Sequence, residues 1–165
     1  MSETIDVIFF DLGDTLGSAV LSDPPIHLVG FNVFPFVPQL LPDLRHQGLR
    51  LGIISNTGND GRETVDVVLR SAGIVDQFEP DLRLYSHDIG LIKDSPRIFS
   101  KAAELAGLGA SPGRCMFVGE DSAERAFALA AGMRVCPHPL RIADVLAELN
   151  AGTPDLPGSP HDPPL

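Results

Sequence analysis

Short, densely apolar runs alternate along this chain with stretches whose apolar positions recur at helical spacing, the pattern of βαβ units that feed a parallel sheet. The first run, residues 5–10 (Ile-Asp-Val-Ile-Phe-Phe), is almost continuously apolar and predicts a strand covered on both faces. Residues 11–34 are irregular. Short apolar arms flank Asp23-Pro24-Pro25 and predict a small hairpin, 19–21 against 27–29. A helix is predicted over 37–46, with Pro38 in its first turn, Pro42 as a kink and Gly48 as its stop. Strand 51–54 follows and exits into Ser55-Asn56-Thr57-Gly58, then helix 63–72, stopped by Gly73, and a weaker strand at 82–85. The second half repeats the alternation: helix 96–106, strand 116–118, helix 122–131, strand 134–136 and helix 140–149.

Together these elements predict an α/β fold: a three-layer, Rossmann-like parallel sheet with helices on both faces, occupying residues 1–150 as one domain. A chain of 165 residues is long enough to bury a real core. Residues 151–165 hold Pro154, Pro157, Pro160, Pro163 and Pro164, and are predicted to form a proline-rich C-terminal tail rather than core.

Charge and composition narrow the function classes. A net charge of −10 argues against nucleic acid and against an anionic membrane surface as partner. An anionic ligand is still possible where a metal or a lysine reverses the local charge. No apolar run reaches transmembrane length, and the N-terminus lacks the basic region of a signal peptide. The 2 cysteines make no disulfide framework, since Cys115 would open one strand and Cys136 close its neighbour, too far apart to bond. The expected location is the reducing cytoplasm.

Ligands of an open parallel sheet bind outside the carboxyl ends of its strands, so the residues just after each strand carry the chemistry. Asp11-Leu12-Gly13-Asp14-Thr15 follows the first strand, Ser55-Asn56 the second, Lys93 stands in the loop after the third, and Gly119-Glu120-Asp121 follows the fourth. A carboxylate, a hydroxyl, an ammonium and an acidic pair thus converge on one rim. In that order and spacing they resemble the haloacid-dehalogenase superfamily from residue 5 to about 149. Asp11, Gly13 and Thr15 match its Asp-x-Asp-x-Thr motif, Ser55 its strand-ending Ser or Thr, Lys93 its lysine ahead of a helix, and Gly119-Glu120-Asp121 its Gly-Asp and nearby acid.

The resemblance implies a magnesium-dependent hydrolase, most simply a phosphatase that forms an aspartyl-phosphate on Asp11. A carboxylate nucleophile divides a difficult hydrolysis into two easier steps. Mg²⁺ would be held by Asp11, the Gly13 carbonyl and Glu120 or Asp121, with the latter two left open as alternatives. Ser55, the Asn56 amide and Lys93 would bind the phosphoryl oxygens. The substrate would be a phosphorylated small molecule or a phosphoprotein. The separation of Asp11 from Ser55 leaves no room for a helical cap, so a flap at residues 17–33 would be the cover, helped in some relatives by homo-oligomerisation. Phe31, Val33, Phe34 and Phe36 are candidates for such a contact, with core packing as the alternative.

Gly13 stands where family phosphatases carry a second aspartate that serves as general acid and base. Losing a general acid typically costs about 10²- to 10⁴-fold in rate. Leaving groups that depart as stable anions, as from acyl and aryl phosphates, are therefore expected to be favoured over alkoxides. The alternative reading is a catalytically silent relative that binds phosphate or a protein partner. Asp14 reads as a turn residue, and Glu124 and Arg125 as a solvated helix face. His27, His46, His87, His138 and His161 show no metal-ligand spacing and read as structural or surface residues, with only His87-Asp88 near the rim.

Overall fold

The computed structural model describes residues 4–151. All but the first residue of the expected proline-rich tail lies outside the described residues. Five strands form the main sheet in the order β5-β4-β1-β6-β7. They are β1 (Val7–Phe10), β4 (Arg50–Ser55), β5 (Arg83–Tyr85), β6 (Cys115–Val118) and β7 (Arg134–Cys136). Every pairing is parallel, with Phe10 of β1 level with Ile53 on one side and Val118 on the other. β1 is wholly buried, as its unbroken apolar sequence requires. The chain runs outward from β1 to β5, then crosses back to β6. This reversal of direction beside β1 opens a crevice at the carboxyl end of the sheet.

Alternation along β1 feeds two cores. Ile8 and Phe10 join a cluster with Leu41 of α1 (Val37–His46), Leu69 of α2 (Arg62–Ser71) and Ile142 of α6 (Ile142–Asn150). Val7 and Phe9 face the opposite layer, with Phe99 and Ala102 of α4 (Arg97–Leu105) and Ala128 of α5 (Ser122–Ala130). The three-layer arrangement expected from the sequence is therefore the one observed. Cys115 and Cys136 are free and buried at opposite ends of neighbouring strands.

Several boundaries differ from expectation. The hairpin is longer, β2 (Gly17–Leu21) against β3 (Leu28–Val33), with a register shift between Val20 and Leu21. Gly30 and Asn32 disfavour a strand by propensity, and pairing with β2 overrides them. Pro42 sits inside α1, which continues through it from Val37 to His46. The last helix begins two residues late, after a 3-10 turn at Pro139–Arg141. A four-residue helix, α3 (Ser86–Ile89), follows β5 and has too few residues to show periodicity in the sequence.

Between β1 and α1 the inserted structure is the β2–β3 hairpin alone, and a single helix, α4, separates Lys93 from the 3-10 turn leading into β6. Phe31 belongs to the core, with Val33, Phe34 and Phe36 packed against it. These aromatic residues and Val33 thus take the core-packing alternative. The exposed apolar side chains of the hairpin region are Val20, Leu21, Ile26 and Val29 instead.

Candidate active site

Asp11 is the first residue past β1. Its amide extends the sheet by donating to Val118 O at 3.0 Å, which fixes the backbone from which its carboxylate emerges. Asp11 Oδ1 accepts the Leu12 amide at 2.8 Å. The Thr15 and Leu16 amides both turn back to Leu12 O, at 3.1 and 2.9 Å, winding a tight turn around Gly13 and Asp14. Asp14 adopts φ 61°, a left-handed conformation that aspartate tolerates better than most residues, and it is exposed. It serves the turn. The Thr15 hydroxyl is buried without a hydrogen-bond partner, which nothing in the structure explains.

Ser55, 6% exposed, ends β4 and borders the same cavity as Asp11. Asn56 acts on the neighbouring loop: its side-chain oxygen accepts the Lys93 amide at 2.9 Å. That bond places the lysine. Its side chain is only 2% exposed, with Nζ 2.7 Å from Asp11 Oδ1, 2.9 Å from Glu124 Oε2 and 5.6 Å from the Phe117 ring centroid. A buried ammonium needs compensating charge, and here two carboxylates supply it.

Glu124 is the site residue that sequence reasoning missed. Asp121 caps α5, its Oδ1 accepting the Ala123 and Glu124 amides at 2.8 and 3.0 Å. Glu120 is exposed, and neither residue borders the cavity. Glu124, in the first turn of α5, points back toward the helix N-terminus and onto Lys93. Glu124, rather than Glu120 or Asp121, is thus the acid that meets Lys93 beside Asp11. The solvated face expected for Glu124 and Arg125 is corrected: Arg125 Nη1 holds the carbonyls of Gly119 and Glu120 at 2.8 and 2.6 Å. An Asp-x-x-Glu spacing after a strand was the available signal, since it marks a helix start with its second acid facing back.

Burial raises the Glu124 pKa; Lys93 opposes the shift, while Asp11 and Asp121 add to it. Its Oε2 is buried, with the Lys93 ammonium at 2.9 Å. Glu124 Oε2 and Asp11 offer hard oxygen donors to a cation. Among the described residues no group of three or more His, Cys, Asp or Glu is placed to hold a metal. Two carboxylates could hold a divalent cation only where water and substrate oxygens complete its shell.

The hairpin closes the cavity from above and is fixed by Asp60, in the loop after β4. Asp60 Oδ2 accepts the Leu28 amide at 2.7 Å, and Oδ1 pairs with His27 Nδ1 at 2.7 Å. Burial alone would raise the Asp60 pKa, but the Leu28 amide, His27 and the charge of His87 outweigh it and leave the pKa lowered. On the other side, Asp88 of α3 accepts the Arg62 amide at 2.8 Å and caps α2, which Gly61 cannot do for itself. The cleft measures about 500 Å³, enough for a small ligand.

The fold and this site can be compared with known proteins. A protein from Listeria monocytogenes serotype 4b superposes with TM-score 0.70 at 17% identity, covering 88% of this chain and 99% of that one. A hydrolase from Streptococcus pneumoniae TIGR4 gives TM-score 0.66 at 16% identity over 89% and 100% of the two chains. A protein from Haemophilus somnus 129pt, described as a predicted phosphoglycolate phosphatase, gives 0.54 at 27% identity over 64% and 44%. No curated protein matches the chain. The family model for haloacid dehalogenase-like hydrolases matches residues 20–132, a span that includes Ser55, Lys93 and Glu124 and begins after Asp11. With that match over more than half its length, and the parallel sheet and strand-end site to support it, the chain belongs to the haloacid dehalogenase-like hydrolases.

Proposed function

We propose that the protein is a magnesium-dependent phosphatase that hydrolyses a phosphate ester or mixed anhydride through an aspartyl-phosphate on Asp11. The observation that carries this reading is the buried Lys93 ammonium, held between Asp11 and Glu124 beside Ser55 at the floor of the cavity. Lys93 and the Leu12 amide both engage Asp11 Oδ1, which leaves Oδ2 as the attacking oxygen. That oxygen bonds to phosphorus as the bond from phosphorus to the leaving-group oxygen breaks. The Ser55 hydroxyl and the Lys93 ammonium stabilise the charge on the phosphoryl oxygens. Water then displaces Asp11 from phosphorus and releases inorganic phosphate. Bound through Asp11, Glu124 and the Gly13 carbonyl, Mg²⁺ would offset repulsion between the nucleophile and the phosphate. Gly13 supplies no proton, so the leaving group departs as an anion, and acyl and aryl phosphates fit this chemistry.

Gly13 also favours the second reading, a silent relative that binds phosphate without turnover. A phosphatase assay with Mg²⁺ over acyl, aryl and alkyl phosphates separates the two. Hydrolysis is expected for the first two classes, and Asp11→Asn should lower kcat by about 10³-fold or more. Full activity in Asp11→Asn would remove Asp11 as nucleophile. Mg²⁺ binding by calorimetry with no turnover of any phosphate would favour the silent relative.

A further inference from the structure

The upper half of the cavity has a different chemistry from its floor. The side chains of Leu21, Ile26, Leu28 and Phe31, from the hairpin and its tip, face the cavity together with Val65 of α2. Leu21 and Ile26 are 56% and 53% exposed, unusually open for large apolar residues beside a polar site. The wall is also held in place, since Asp60 ties the hairpin to the β4 exit through Leu28 and His27. Charge is the second observation. Among the described residues, the Asp, Glu, Lys and Arg side chains bordering the cavity are Asp11, Asp60, Glu124 and Lys93, the last already contacted by two carboxylates. Away from Lys93, a second anionic group on the substrate would meet the carboxylate of Asp60, which already holds His27.

From the apolar wall and the lack of a second lining cation among the described residues, we infer that the hairpin forms a subsite for an uncharged, apolar substituent on the leaving group. The substrate class is an aromatic or extended acyl monophosphate, not a nucleotide, a bisphosphate or a phosphorylated hydroxy acid. This rests on the phosphatase reading and adds to it. The absence of an acid at Gly13 selects leaving groups by basicity, while the hairpin selects them by apolar surface.

Acetyl phosphate and benzoyl phosphate both release a carboxylate anion, so their comparison isolates the apolar group from the need for a proton. With Mg²⁺, kcat/KM for benzoyl phosphate is expected to exceed that for acetyl phosphate by about ten- to a hundredfold, the range for burying one apolar group. The double variant Leu21→Asn/Ile26→Asn changes exposed residues and should fold. It should remove most of that preference while changing acetyl phosphate turnover by less than about twofold. Equal kcat/KM on both substrates in the unmodified protein, or a parallel loss on both in the variant, would overturn the subsite. Calorimetry with methylphosphonate and benzylphosphonate, which are not hydrolysed, separates this from failure of the phosphatase reading. Tighter benzylphosphonate binding that the double variant abolishes supports the subsite even if neither acyl phosphate is turned over. Equal binding of the two phosphonates, or binding of neither, removes it.

Discussion

Gly13 keeps an ordinary backbone conformation, and a Cβ built on it would meet nothing within 4 Å. A Cβ at this position, beside Asp11, therefore meets no steric obstacle. Gly13→Asp should fold normally and raise kcat/KM on alkyl phosphates by about tenfold or more, with less gain on acyl phosphates. A full general-acid contribution is larger, about 10²- to 10⁴-fold, but it requires surroundings that orient the new side chain. Parallel assays on the two substrate types check this, and an equal response on both would show that protonation is not what Gly13 limits. Local geometry also explains why Asp14 does not replace the missing acid. Its left-handed backbone closes the turn, and Asp14 is not among the residues bordering the cavity.

At the scale of elements, Asp60 ties the hairpin to the β4 exit alongside the core packing of Phe31. Asp60 has a lowered folded pKa, so its contribution to stability is present above its unfolded value of about 4 and is lost as pH falls through the folded value. Asp60→Asn keeps an acceptor for the Leu28 amide but loses the charge that holds His27. It should cost about 1–2 kcal/mol at pH 7, discounted because His27 is about half exposed. The difference from the unmodified protein should shrink as pH is lowered toward 3, in urea unfolding followed at several pH values. A gap that persists unchanged at pH 3 would assign the loss to packing instead of charge.

Across the molecule as a whole, the sheet couples core to chemistry through Phe117. Its ring packs edge-on against Phe99, with centroids 4.9 Å apart, and lies under the Lys93 ammonium. Gly119, two residues on, admits no side chain, because a Cβ there would lie 2.8 Å from that ring. Phe117→Ala should cost about 3–5 kcal/mol, a large part of the roughly 5–15 kcal/mol that holds a typical domain together. Phe117→Leu should cost less and keep the fold, while loosening Lys93 and lowering kcat by more than the folded fraction explains. Urea unfolding and kinetics on the same preparation test both halves. If Phe117→Leu leaves kcat unchanged, the ring supports the core alone.

The order of the strands and main helices, the parallel sheet, the strand exits that carry Asp11 and Ser55, and the later loop that carries Lys93 were legible in the amino-acid sequence. Each of these is local information: a continuous apolar run marks a doubly covered strand, and the residues just past its end must lie at the sheet edge. Gly13 was equally plain as a position without a proton donor, since that depends on the residue alone. Which acid joins Lys93 was settled by packing. Glu120, Asp121 and Glu124 are three carboxylates close together in the chain. The start of α5 assigns Asp121 to the helix cap and turns Glu124 inward. Tertiary contacts also extended the hairpin across Gly30 and Asn32, and supplied Asp60 and Asp88 as partners for segments distant in sequence. Pairings of that kind depend on where strands and helices dock, a long-range outcome that no local spacing encodes.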